Sequence, residues 1–233
     1  MLVTQLLKKR GQVVPRIAIY LVGLLLMALG IVLLLKSDFG VAPWDVLHVG
    51  LYYNLGLTIG SWTIIAGVVI LTVSAIIAKE IPQIGAFTNM LLVGMFIDLY
   101  LLLGFIVTPD HIIGKIVMFA FGLLFSGYGM GIYISAQFGA GPRDSLMIAV
   151  SERFGWSIRS VRSVIEVVAL VIGWGLGGPV FWGTIAFGVS IGPISGMALP
   201  HCRTMTNWWL AKLKDKQARK HMGEEKTNRG AFL

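Results

Sequence analysis

The residues best suited to chemistry in this chain come as two matched segments. Phe39, Gly40, Pro43, Asp45 and Leu47 of FGVAPWDVL recur 99 positions later as Phe138, Gly139, Pro142, Asp144 and Leu146 of FGAGPRDSL. Trp44 and His48 are particular to the first segment, Gly141 and Arg143 to the second. In each segment a glycine permits a sharp turn, and a proline opens a helix where its missing N–H costs nothing. The aspartate then sets a carboxylate beside the unpaired N–H groups of the first turn. Two such helix starts converging, with Arg143 beside one of them, make a site for an anion or a carboxylate. The candidate binding set is therefore Phe39, Gly40, Pro43, Trp44, Asp45, His48, Gly139, Gly141, Pro142, Arg143 and Asp144. A second class comprises charges inside apolar stretches: Asp98, which follows Asn89, and Arg162 with Glu166, four residues apart on one helix face. Such residues read either as proton-coupling groups or as a structural ion pair. Their counterparts in the other copy, Gly67 for Glu166 and Gly196 for Asp98, are neutral.

The elements that carry these residues follow from length. Pro43 to Gly56 and Pro142 to Gly155 are each 14 residues long, about 21 Å as a helix against a bilayer core of about 30 Å. They are too short to cross and too apolar for ordinary loops. One placement lays each flat in the membrane interface with proline and aspartate as caps. The other makes each re-entrant, its N-terminal end aimed at mid-membrane, where irregular backbone is tolerated only if it lines a cavity or packs on protein.

The remainder of the chain is membrane material. Hydrophobic residues make up 56% of it, charged residues 13%, and there are 29 glycines, with a mean hydropathy of +0.82; a soluble core of this size would not hide so much apolar surface. Six stretches have the length of a spanning helix: about Pro15 to Leu35, Ile59 to Ala78, Ile84 to Val107, Ile112 to Ser135, Ile158 to Gly177 and Pro179 to Leu199. They lack the strict alternation of barrel strands.

The repeat extends beyond the motifs, through Gly56, Ile59 and Ser61 with Gly155, Ile158 and Ser160, and through Gly85 with Gly183 and Gly94 with Gly192. A duplicated unit with an odd number of spans is the signature of an inverted-repeat transporter. The expected fold is all-α and polytopic, with six transmembrane helices and two short re-entrant or interfacial helices in two inverted three-span repeats. Residues 1–14 form a basic N-terminus, 15–107 the first repeat, 112–200 the second, and 201–233 a basic tail. With both termini inside, sixteen basic residues, among them Lys8, Lys9, Arg10, Arg16 and Lys79, lie on the cytoplasmic side and two, Lys36 and Lys115, outside. This distribution obeys the positive-inside rule and accounts for the net charge of +8 without nucleic acid as a partner. Trp208 and Trp209 with Lys212, Lys214 and Lys216 read as an interfacial anchor before a disordered end. The first span is too long for a signal-peptide core and is expected to stay as an anchor.

No zinc-protease pair, phosphate-binding glycine-lysine loop or nucleophile elbow is present, and the lone Cys202 allows no disulfide within the chain. No catalytic set, metal site or cofactor is expected, and the protein is read as not an enzyme.

At these same motifs the sequence resembles the YczE-like branch of the YczE/YyaS/YitT bacterial membrane proteins. The resemblance rests on GVAPWDVLHVGL (Gly40 to Leu51), GAGPRDSLM (Gly139 to Met147), SIRSVRSVIE (Ser157 to Glu166), GWGLGG (Gly173 to Gly178) and GPISG (Gly192 to Gly196), and covers about residues 15 to 200. One departure is Trp182, where the family pattern has glycine. The resemblance implies a multi-pass protein of the bacterial cytoplasmic membrane and implies little about activity. The expected partners are the lipid bilayer and a small solute, an anion among the candidates. A homodimer is the assembly considered, since six spans are few for a solitary carrier. The leading functional expectation is secondary transport; the alternative is a non-transporting scaffold that docks a cytoplasmic enzyme through its inner loop and tail.

Overall fold

A computed structural model describes residues 12–139 and 141–230, with side chains as far as Lys214. Lys8, Lys9 and Arg10 lie outside the described residues, as does the side chain of Lys216. The described chain is all helical: α1 (Val13–Lys36), α2 (Pro43–Leu55), α3 (Ile59–Ala78), α4 (Ile84–Leu103), α5 (Ile112–Ser135), α6 (Pro142–Phe154), α7 (Ile158–Gly175) and α8 (Trp182–Gly230). Five of these, α1, α3, α4, α5 and α8 as far as Lys214, are long and apolar enough to cross a membrane. The remaining expected span, α7, is 18 residues long and carries Arg159, Arg162 and Glu166, so length and composition alone do not mark it as a span.

Helix boundaries follow local chemistry. Pro43 and Pro142 open the short helices, each of 13 residues, and Gly56 and Gly155 close them at positive φ. Thr58 and Ser157 then cap the next helices by accepting the N–H of Ser61 at 3.0 Å and of Ser160 at 3.1 Å. Gly104, left-handed at φ 64°, stops α4 at Leu103, short of the expected Val107. The largest departure is α8, which runs unbroken past Leu199 to Gly230 and contains Pro193 and Pro200. The expected disordered end is helical as far as Gly230, and the helix does not stop at Leu199. The segment after Pro200 contains no further proline and is rich in Lys, Ala, Leu and Arg, all good helix formers.

Packing follows the repeat. α1 lies along α5, α1 on α4 as α5 on α8, α2 on α7 as α6 on α3. Each short helix thus packs on a long helix of the other half. α1 and α5 cross closely because small residues meet there: a Cβ on Gly122 would lie 3.0 Å from the Gly30 carbonyl oxygen. Tyr20, Leu24, Val32, Val93, Ile97 and Tyr133 form the largest apolar cluster around this crossing. Arg16, expected as a topology charge, is instead buried, and its guanidinium donates to the Ala136 carbonyl at 3.2 Å, satisfying the C-terminal end of α5.

Candidate functional site

The glycines that precede the two short helices decide where those helices begin. Gly40 and Gly139 have φ of 144° and 149°, a region open to glycine. Each touches the first turn of a long helix from the other half: a Cβ on Gly40 would sit 2.6 Å from Gly183 Cα, and one on Gly139 would sit 2.7 Å from Gly85 Cα. The Gly183 N–H also donates to the Phe39 carbonyl at 2.9 Å. Phe39 packs edge-on to Phe119, centroids 5.3 Å apart. These contacts hold the chain turned inward just before Pro43 and Pro142. Phe39, Gly40 and Gly139 therefore support the site from behind.

What they position is a cavity of about 130 Å³ between the helices. Pro142, Gly141 and Ala42 from the two helix starts line it, with Trp44, Asp45 and His48 of α2 and Arg143 and Asp144 of α6. Pro43, Trp44, Asp45 and His48 are buried, so the N-terminal half of α2 lies within the bundle, whereas Tyr52, Tyr53 and Leu55 at its other end are exposed. The N-terminal end of this helix is therefore covered by other helices of the bundle.

The polar wall has a definite arrangement. Asp144 accepts the hydroxyl of Tyr133 and the N–H of Gly141, each at 3.4 Å, so its carboxylate caps the start of α6. His48 Nδ1 stands 3.2 Å from the Thr63 hydroxyl and 3.6 Å from Asp45 Oδ1. Because Thr63 donates its hydroxyl to the Ile59 carbonyl, the contact fits a protonated Nδ1 donating to Thr63. Arg143 stacks over the Trp44 ring at 4.8 Å, a cation–π contact between the two repeats. Among the described residues it has no ion pair within 4.0 Å, and the acids whose fields reach it are Asp45, Glu166 and Asp144. Asn89 and Ser126 line the same cavity; Asn89 stands beside the Tyr20 hydroxyl, and Ser126 Oγ is buried with no hydrogen-bond partner among the described residues.

The other sequence candidates are not part of this wall. Asp98 accepts the Thr58 hydroxyl at 2.5 Å and the Gly60 N–H at 2.8 Å, so its carboxylate caps α3. Arg162 Nε donates to Glu166 Oε1 at 2.9 Å, the ion pair that their spacing predicts, on a helix that packs against α2. Sequence reasoning did not single out Thr63, Ser126 or Tyr133. The one signal available was a polar side chain within an apolar run, and Asn89 shows the same signal.

A model described as a family of unknown function (DUF6198) matches residues 14–200. The uncharacterised membrane protein YczE of Bacillus subtilis is 38% identical over 205 residues, which cover 87% of this chain and 94% of that relative. Uncharacterised YyaS of the same organism is 31% identical over 170 residues, covering 71% and 83%. An uncharacterised protein of Haemophilus influenzae is 28% identical over 203 residues, covering 81% and 92%. No solved structure matches the chain. The chain is an integral membrane protein and belongs to the YczE-like family.

Proposed function

We propose that the protein is a secondary transporter of a small solute with an anionic group, built from two inverted halves with both termini cytoplasmic. The carrying observation is that helix starts from both halves, each opened by proline, border one cavity, with Arg143 of one stacked on Trp44 of the other. Binding at the seam of two repeats, against positive helix ends, is how repeat-built carriers hold an anionic group.

An asymmetry adds support for two packing states. α3 packs on α4, where a Cβ on Gly94 would lie 2.6 Å from the Gly60 carbonyl oxygen. The corresponding pair, α7 and α8, makes at most marginal contact, and a Cβ on Gly188, Gly192 or Gly196 would meet nothing within 4 Å. One half holds a closed seam where the other is open. Exchange of these two packings between halves is the rearrangement that alternating access requires. Glu166, on the α7 side of the open seam, is the candidate proton-coupling residue.

The orientation is tested by replacing Cys202 with alanine and introducing Thr58→Cys or its counterpart Ser157→Cys. In sealed cells, an impermeant thiol reagent should reach position 58 and should reach position 157 only after the membrane is opened. Reaction of both from the same side removes the inverted reading. Transport is then tested as uptake of small carboxylates and amino acids into proteoliposomes.

A second reading, a scaffold for a cytoplasmic enzyme, draws on the length of α8, which continues as helix to Gly230. Truncation after Trp209 separates them: a carrier keeps its uptake, and a scaffold loses its partner.

A further inference from the structure

The wall of the cavity is not that of a site for a simple anion. Its ionisable lining comprises two carboxylates, Asp45 and Asp144, one guanidinium, Arg143, and His48 with Tyr133. The lining residues of α1, α3, α4 and α8 bring no charge. With His48 neutral and both carboxylates ionised, the acids outnumber the base and a bare anion entering here meets a net negative surface. A bare cation meets Arg143.

The two acids are not equivalent. Asp144 is engaged by Tyr133 and by the Gly141 N–H. The nearest charged or titratable partner of Asp45 is His48 Nδ1 at 3.6 Å, longer than a hydrogen bond. Asp45 is thus a carboxylate with acceptor capacity left over, on the same wall as a guanidinium that stacks on Trp44 and, among the described residues, has no ion pair within 4.0 Å. Asn89 and Ser126 add buried polar side chains to the same wall. One ligand meets both charged demands: a carboxylate for Arg143 and an ammonium for Asp45. The volume, about 130 Å³, suits a molecule of a few heavy atoms.

We infer that the cavity binds a small zwitterionic amino acid of the size of glycine or alanine, its carboxylate on Arg143 and its ammonium on Asp45. The inference rests on the transport reading for its biological meaning, but its chemistry is testable without transport.

The test uses the purified full chain in nanodiscs and reads thermal stabilisation and equilibrium binding with glycine and L-alanine, against propionate and ethylamine as partners lacking one charge each. The amino acids should bind at least about tenfold more tightly than either single-charge analogue, the factor expected when one charged hydrogen-bond pair is lost. Arg143→Gln should remove this binding. Asp45→Asn should erase the preference, so that alanine binds no better than propionate; this readout survives a general loss of affinity. Binding of propionate or ethylamine within about threefold of alanine overturns the inference, as does the absence of binding by either amino acid in a folded wild-type preparation. Amino acid binding without uptake into proteoliposomes supports the inference and counts against the transport reading alone.

Discussion

Asp98 caps α3: its carboxylate receives the N–H of Gly60 at 2.8 Å and the hydroxyl of Thr58 at 2.5 Å. A carboxylate at a helix N-terminus satisfies donors that the helix itself leaves unpaired and complements the helix dipole. The residue therefore ties α4 to the start of α3 and does not border the cavity.

Replacement of Asp98 by alanine should cost about 1 to 2 kcal/mol of stability, the range for loss of a helix cap. Asp98→Asn, which keeps one acceptor, should cost less. Neither should alter the pH dependence of solute binding. Thermal unfolding in detergent measures the first effect and a binding titration across pH the second. A pH profile displaced by Asp98→Asn would return this residue to the functional set.

Gly139 meets Gly85 as Gly40 meets Gly183. Alanine at 139 faces two obstacles, a positive φ and a Cβ 2.7 Å from backbone, and should destabilise by about 2 kcal/mol or more. Alanine at Gly175, where the same methyl would meet nothing within 4 Å, should be close to neutral. The comparison is read as the melting temperature of the two variants, and equal melting temperatures would contradict the packing described.

Gly94 and Gly192 correspond in the repeat but differ in surroundings, one against Gly60 and Ile64, the other open. Gly94→Leu should therefore destabilise the protein, whereas Gly192→Leu should leave melting unchanged. If the open seam must close during a transport cycle, Gly192→Leu should also abolish exchange of bound solute across the membrane while binding persists. Full transport by this variant would show that the α7–α8 seam does not close.

Glu166 shares a hydrogen-bonded ion pair with Arg162 at 2.9 Å. Glu166→Gln removes the charge and retains an acceptor for Arg162, so the protein should still reach the membrane at wild-type level. In the coupling reading, uptake by the variant loses its dependence on a proton gradient while downhill exchange continues. Unchanged gradient-driven uptake would leave Glu166 as the structural partner of Arg162.

Much of the architecture was legible in the residues. Proline, glycine and threonine or serine act on their immediate neighbours, so the starts of the short helices at Pro43 and Pro142, their ends before Gly56 and Gly155, and the caps at Thr58 and Ser157 follow from local geometry. The i, i+4 pairing of Arg162 with Glu166 is likewise a property of one helix. The duplication showed that whatever held one motif would hold the other.

What the tertiary structure decided is which residues share a cavity. Asp98 and Asp45 are both acids in apolar surroundings, yet one caps α3 and the other faces Arg143's cavity. Asn89, Ser126 and Tyr133 enter that cavity because α4 and α5 each cross α1 in a particular rotation, fixed where small residues such as Gly30 and Gly122 let backbones approach. A sequence lists its polar residues one at a time. Only helix crossing, a matter of close contacts between positions far apart in the chain, brings Trp44 of one repeat under Arg143 of the other and sets Asp45 on the same wall.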